Sequence, residues 1–144
     1  MLRLRAPVLV PAVGVAGWVR RGGVGEAGRG GVGGPDAATG YGGHVILEHA
    51  ILPVVPGREA DFEAAFSEAV PIISAMPGFV DLRLSRSIET PNAYLLRVHW
   101  ESVEAHEVGF RGSPEYGRWR ELLHGFYEPF PVVEHFTEVL STRA

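Results

Sequence analysis

Apolar and polar positions fall into two alternating periods from residue 44 onward. Residues 44–52 (HVILEHAIL) are rich in β-forming side chains and stop at Pro53. Val45, Leu47, His49 and Ile51 point to one side, and Ile46, Glu48, Ala50 and Leu52 to the other. Both faces of this predicted strand are mostly apolar, so both need cover. Pro56-Gly57 opens a helix of about twenty residues. Phe62, Ala65, Phe66, Ala69, Val70, Ile73 and Met76 recur along it at helical spacing. Glu59, Asp61 and Glu63 sit in its early turns, where the helix dipole favours acids. Pro71 is expected to kink or tighten the last part, and Met76-Pro77-Gly78 ends it.

Residues 79–88 return to strict alternation, with Val80, Leu82 and Leu84 set against Asp81, Arg83 and Ser85. A turn at Glu89-Thr90-Pro91-Asn92 leads to a third strand over 93–100, which completes a hairpin. Ser102 is placed to cap a short helix with Val103, His106 and Phe110 on one side. Gly109 and Gly112 break that helix, and Ser113-Pro114 starts another, with Ser at the N-cap and Pro at the first helical position. Tyr116, Trp119, Leu123 and Phe126 form its apolar stripe, with Arg118, Arg120 and Glu121 in solvent. Pro129 and Pro131 precede a last strand over 132–140. The order βαββαβ predicts an α+β fold of ferredoxin-like type, an antiparallel sheet with both helices on one face. The other sheet face carries apolar side chains as well. A second copy of the chain is the simplest cover, which predicts a homodimer.

Residues 1–43 do not share this patterning. They hold 13 of the 19 Gly and five Arg against two acids, and residues 22–34 contain eight Gly in thirteen positions. Such a segment buries too little apolar area to offset chain entropy. Residues 1–43 are therefore expected to be a disordered Gly/Arg-rich extension to a domain spanning 44–144, with the native start near Val45. The apolar run after Arg5 is too short to span a bilayer as a helix, and Pro7 and Pro11 interrupt it.

Charge and cysteine content then narrow the chemistry. The net charge is −4, which does not favour nucleic acid or an anionic membrane. With no Cys, disulfides, thiolate metal sites and thiol catalysis are excluded. That composition fits a reducing, cytoplasmic location.

Three stretches resemble the antibiotic biosynthesis monooxygenase family of small dimeric α+β barrels. They are LEHAILPVVPGREADFEAAF, the Met76-Pro77-Gly78-Phe79 run, and YLLRVHWESVEAHEVGFRGSPEYGRW. The resemblance implies a dimeric barrel and an aromatic small-molecule substrate oxidised by O2 without a cofactor. Family oxygenases acting on polycyclic phenols place an Asn, a Trp one turn on, and then a Tyr around the pocket. His106, Phe110 and Tyr116 occupy those positions, so only the Tyr matches. Haem-degrading relatives place an iron-ligating His near Trp119-Arg120, whereas the nearest histidine here is His124, one turn further.

Under the oxygenase reading, His106 is the base that deprotonates a phenol or anthrone. Tyr116 or Arg111 steadies the oxyanion, and Trp100, Phe110, Trp119 and His124 hold the substrate rings. His106 and Phe110 are four residues apart and face the same way on a helix. The same aromatic set is also what a plain core requires, with His106 as a hydrogen-bonded core histidine. Without catalysis, the barrel would be a small-molecule binder. The pairs Glu48-His49 and Glu134-His135 lie on the first and last strands. Alternation lets at most one member of each pair meet, which favours cross-strand hydrogen bonding over a metal site. His99 and Arg97 share a strand face and are placed to pair with Asp81 or Arg83 across the hairpin.

Overall fold

The computed structural model describes residues 45–144 and the backbone of Val19 and Arg20. The rest of the expected extension, residues 1–43, lies outside the described residues. The elements in order are β1 (Val19–Arg20), β2 (Ile46–Pro53), α1 (Glu59–Ser74), β3 (Phe79–Arg86), β4 (Ala93–Trp100), a π-helical turn (Ala105–Phe110), α2 (Pro114–Leu123), a 3-10 turn (His124–Phe126) and β5 (Val132–Thr137). The sheet order is β1-β5-β2-β4-β3. β2, β3, β4 and β5 form the expected antiparallel sheet, and β1 pairs in parallel with Val132 and Val133 of β5.

The strand alternation read from the sequence is reproduced in burial. Ala50, Leu52 and Val54 on the β2 side, and Tyr94, Leu96, Val98 and Trp100 on β4, are buried on the helix-covered face. Phe62, Phe66, Ala69 and Ile73 of α1 pack there, as do Tyr116, Trp119 and Leu123 of α2. Edge-to-face ring contacts join the layers: Phe62 with Tyr94 at 4.8 Å, and Phe66 with Trp119 at 5.6 Å. The opposite face carries Leu47, His49, Leu95, Arg97 and His99, and in the single chain Ile51 and Phe136 stay about half exposed. On that face His99 Nδ1 lies 2.7 Å from Asp81 Oδ1, the cross-hairpin pairing expected from the spacing. No helix of the described residues is long and apolar enough to cross a membrane.

The expected elements differ from the observed ones at their ends. α1 is 16 residues long rather than about twenty, and β5 stops at Thr137. Phe126 belongs to a separate 3-10 turn, because α2 ends at Leu123. The larger difference is the segment expected to be a short α-helix. Ser102 does cap it, accepting the Ala105 N–H at 3.0 Å, but from Ala105 onward the coil widens to π geometry. The Arg111 N–H donates to the His106 carbonyl five residues back, at 2.9 Å. Four residues make slightly less than one turn of this wider coil, so His106 and Phe110 still face inward together.

Two glycines make these turns possible. Gly78 has φ +82°, and a Cβ there would lie 2.6 Å from Ala105 Cβ. Gly112 follows the π-turn, and a Cβ on it would collide with the Val108 carbonyl oxygen. Gly112→Ala is therefore expected to destabilise the protein by about 1–3 kcal/mol. Gly117→Ala, whose Cβ meets nothing within 4 Å on α2, is expected to stabilise it by up to about 1 kcal/mol. Urea unfolding of both variants tests this. A Gly112→Ala variant as stable as the parent would show that the backbone contact is not limiting.

Candidate active site

Cross-strand register builds the polar part of the site. Glu48 stands opposite His135, and His49 opposite Glu134. The pleat sends the first pair to the helix-covered face and the second to the other face. Glu48 is thus a carboxyl in a row otherwise made of Ile46, Ala50 and Leu52, and it is 3% exposed. Its partner is the indole of Trp100, at the end of β4: Trp100 Nε1–H donates to Glu48 Oε2 at 2.8 Å. His106, also 3% exposed, is set between this carboxyl and β5 by the π-turn. Its Nε2 is 3.4 Å from Glu48 Oε2, and its Nδ1 is 2.8 Å from His135 Nε2. His135 Nδ1 then lies 3.9 Å from Glu107 Oε1, where both side chains are partly exposed. A string of polar groups therefore runs from the core to the edge of the fold.

Aromatic rings wall this string. The Trp100 indole stacks on His106 at 5.4 Å and on Phe110 at 5.7 Å. Phe110 meets Tyr116 edge-on at 5.2 Å and Trp119 at 5.5 Å. His124 sits beyond Tyr116, at 6.0 Å, and against Phe130 at 4.9 Å. Arg111 follows the π-turn directly, and its charge acts on Glu48, His106 and His124. The structure thus brings His106, Arg111, Tyr116, Trp100, Phe110, Trp119 and His124 into one contiguous region. The rings fill the space among themselves, with Phe110 and Trp119 each 2% exposed. A cavity of about 310 Å³ lies between α1 and β3, lined by Phe66, Val70, Leu82, Leu84, Glu63 and Arg86 among others. Phe66 links that cavity to the aromatic wall through Trp119.

Desolvation dominates the electrostatics. Burial pushes the Glu48 carboxyl up to about 7, against the lowering effects of the Trp100 hydrogen bond and the Arg111 charge. Burial lowers His106 to about 3, reinforced by His135 and Arg111, so its imidazole is neutral at pH 7. Burial also lowers His124, to about 4, with Arg120 and Arg111 adding to the shift. Among the described residues no group of three or more His, Asp and Glu is arranged to hold a metal ion.

Glu48 and His135 are the members that the sequence reading left outside the site. Their signal was present in the alternation. Glu48 falls on the face shared with Ala50 and Leu52, where a carboxylate needs a buried donor. Nothing local indicated that the donor is Trp100, 52 residues away.

A four-stranded antiparallel sheet with two helices packed on one face is the ferredoxin-like α+β fold. The model of the antibiotic biosynthesis monooxygenase family matches residues 46–122, and the chain belongs to that family. An uncharacterized protein of Bacillus subtilis (strain 168), YczJ, is 50% identical over 95 residues, covering 66% of this chain and 100% of that protein. The crystal structure of a Bordetella bronchiseptica protein named for the same family is 42% identical, with a TM-score of 0.65. It covers 67% of this chain and 99% of that one. The Streptomyces coelicolor monooxygenase from the gene ActVA-Orf6, solved in complex with Nanaomycin D, shares the fold at 22% identity and a TM-score of 0.61, over 70% of this chain and 93% of that one.

The sign of the Glu48 shift gives a stability test. A carboxyl raised on folding contributes its stabilisation fully below about pH 4.5 and loses it as pH rises through 7. His106 acts in the opposite sense, losing stability as pH falls from 6.5 toward 3. Glu48→Gln removes only the first slope. Relative to the parent, the variant is expected to gain on the order of 3 kcal/mol between pH 4.5 and 7.5. Urea unfolding across that range measures it, and parallel curves would mean that Glu48 ionises as an ordinary surface carboxyl.

Proposed function

We propose that this protein is a cofactor-independent monooxygenase of an aromatic small molecule, a quinol, anthrone or related polyketide-like phenol, working as a homodimer. The observation that carries the reading is the neutral His106 beside the buried Glu48 carboxyl, inside the wall of Trp100, Phe110, Tyr116 and Trp119, in a chain of this family. A base poised near the working pH is what abstraction of a phenolic or benzylic proton requires.

The chemistry draws its electrons from the substrate. Proton loss from a ring-activated CH2 gives a stabilised carbanion that reduces O2 and forms a C–O bond. The O–O bond then breaks, leaving C=O on the substrate, and the second oxygen departs as water with the two hydrogens of the methylene. In this reading the Glu48 carboxylate takes the proton, and His106 holds that carboxylate in place from its Nε2 side. Tyr116 and Arg111 hold the oxyanion, and Trp100, Phe110, Trp119 and His124 bind the rings. Because these rings touch one another, substrate entry displaces Phe110, and the π-turn that carries it is the movable wall. The open sheet face, with Ile51 and Phe136, is the surface a second copy would cover.

Oxygen uptake with a panel of hydroxyanthrones and quinols tests the reading. His106→Ala is expected to lower kcat/KM by roughly 100-fold or more with circular dichroism unchanged. Phe110→Ala is expected to act mainly on KM. No uptake across the panel, with thermal stabilisation by the same compounds, would replace catalysis with binding alone.

A further inference from the structure

We propose that Glu48, His106 and His135 form a proton wire, through which the buried carboxyl exchanges its proton with solvent by reversing the tautomers of both imidazoles. The inference rests on the reading of Glu48 as part of the site's base, and it adds the route by which that base is reset.

The argument is one of donors and acceptors. A neutral imidazole has one of each. His106 Nδ1 and His135 Nε2 are 2.8 Å apart, so one donates and the other accepts. Which one is decided by the other nitrogen of His106, which faces Glu48 Oε2 at 3.4 Å. Trp100 Nε1–H is a donor only, so it cannot reverse. When Glu48 is ionised, its carboxylate only accepts. Across 3.4 Å that charge favours the His106 proton on Nε2, with Nδ1 accepting and His135 donating from Nε2. When Glu48 is protonated, its O–H donates to His106 Nε2. The proton of His106 is then on Nδ1, and that of His135 is on its own Nδ1, toward Glu107.

The two states differ by one proton. Uptake at His135 Nδ1 releases the proton on His135 Nε2 to His106 Nδ1, and the proton on His106 Nε2 passes to Glu48. Three bonds to hydrogen form and two break within the string, and no imidazolium persists. Burial disfavours an imidazolium at His106, as a tautomeric route requires. The outer end is suited to exchange, because His135 is 19% exposed at its side chain while His106 and Glu48 are nearly closed off. Register makes the path short, since Glu48 and His135 are direct cross-strand partners on β2 and β5. The other ionisable groups facing the string are Arg111 after the π-turn, Tyr127 before β5, and Glu107 on the turn. The Arg111 charge acts on both Glu48 and His106, and none of the three stands between the relay groups.

Nitrogen-15 NMR of the full chain reads the tautomers without substrate. His106 and His135 are both expected to change from the Nε2–H form at high pH to the Nδ1–H form at low pH. They should share one midpoint, and it should coincide with that of the Glu48 carboxyl carbon, near pH 7. In Glu48→Gln that shared midpoint is expected to disappear from both rings. His135→Phe, at a partly exposed position that tolerates exchange, is expected to slow proton exchange at Glu48 at least tenfold with the fold retained by circular dichroism. A His106 tautomer that stays fixed while Glu48 titrates, or two rings with separate midpoints, would overturn the wire. Substrate turnover with fixed tautomers would leave the oxygenase reading standing and remove the wire. Coupled tautomers without any oxygen uptake would do the reverse.

Discussion

A carboxyl with almost no access to water, held by one indole N–H, sets the terms for the rest of this fold. Desolvating Glu48 is costly unless its oxygens are matched by donors, and Trp100 supplies one at 2.8 Å. That bond ties the second strand to the end of the fourth and fixes the indole plane. The fixed plane is in turn the surface on which His106 and Phe110 stack. The same burial that raises the carboxyl keeps the neighbouring imidazole neutral. A polar string in a low-dielectric core is tolerable only when each member is paired with the next.

The π-turn between Ala105 and Phe110 delivers His106 to that constraint. A regular α-helix would also place His106 and Phe110 on one side. The wider coil instead gives the His106 carbonyl the Arg111 N–H as a partner and lets Gly112 pass under Val108 before α2 begins. A π-turn is a weaker local structure than an α-helix and is common where function needs a departure from regular geometry. Here it carries both the buried His106 and the Phe110 ring that stacks on Trp100. The first is fixed by partners on two strands. The second packs against Trp100, Tyr116 and Trp119, and the Phe110 carbonyl accepts from the Ser113 hydroxyl.

The alternations over 79–88 and 93–100, the helical spacing from Phe62 to Met76 and the Ser113-Pro114 cap were all legible because each depends on neighbours close in sequence. The stripe of Tyr116, Trp119 and Leu123 was legible for the same reason. The pairing of His99 with Asp81 was also accessible, since a hairpin fixes its own register. The π geometry was not, because its extra residue per turn leaves the same inward pattern as an α-helix. The shortening of β5 was not either, since residues 138–140 have strand-like composition but pair with no strand among the described residues.

The sequence alone determined the fold class, the face each side chain takes on its own element, and the candidate set of His106, Arg111, Tyr116 and their aromatic neighbours. Those properties follow from local periodicity and from the resemblance its motifs carry. Only the tertiary structure decided what His106 touches. Its two nitrogens meet groups from strands 58 residues earlier and 29 residues later in the chain. Which residues stand opposite one another across β2 and β5 is a matter of long-range register. It is set by how the whole sheet closes under its helices, and no local pattern contains it.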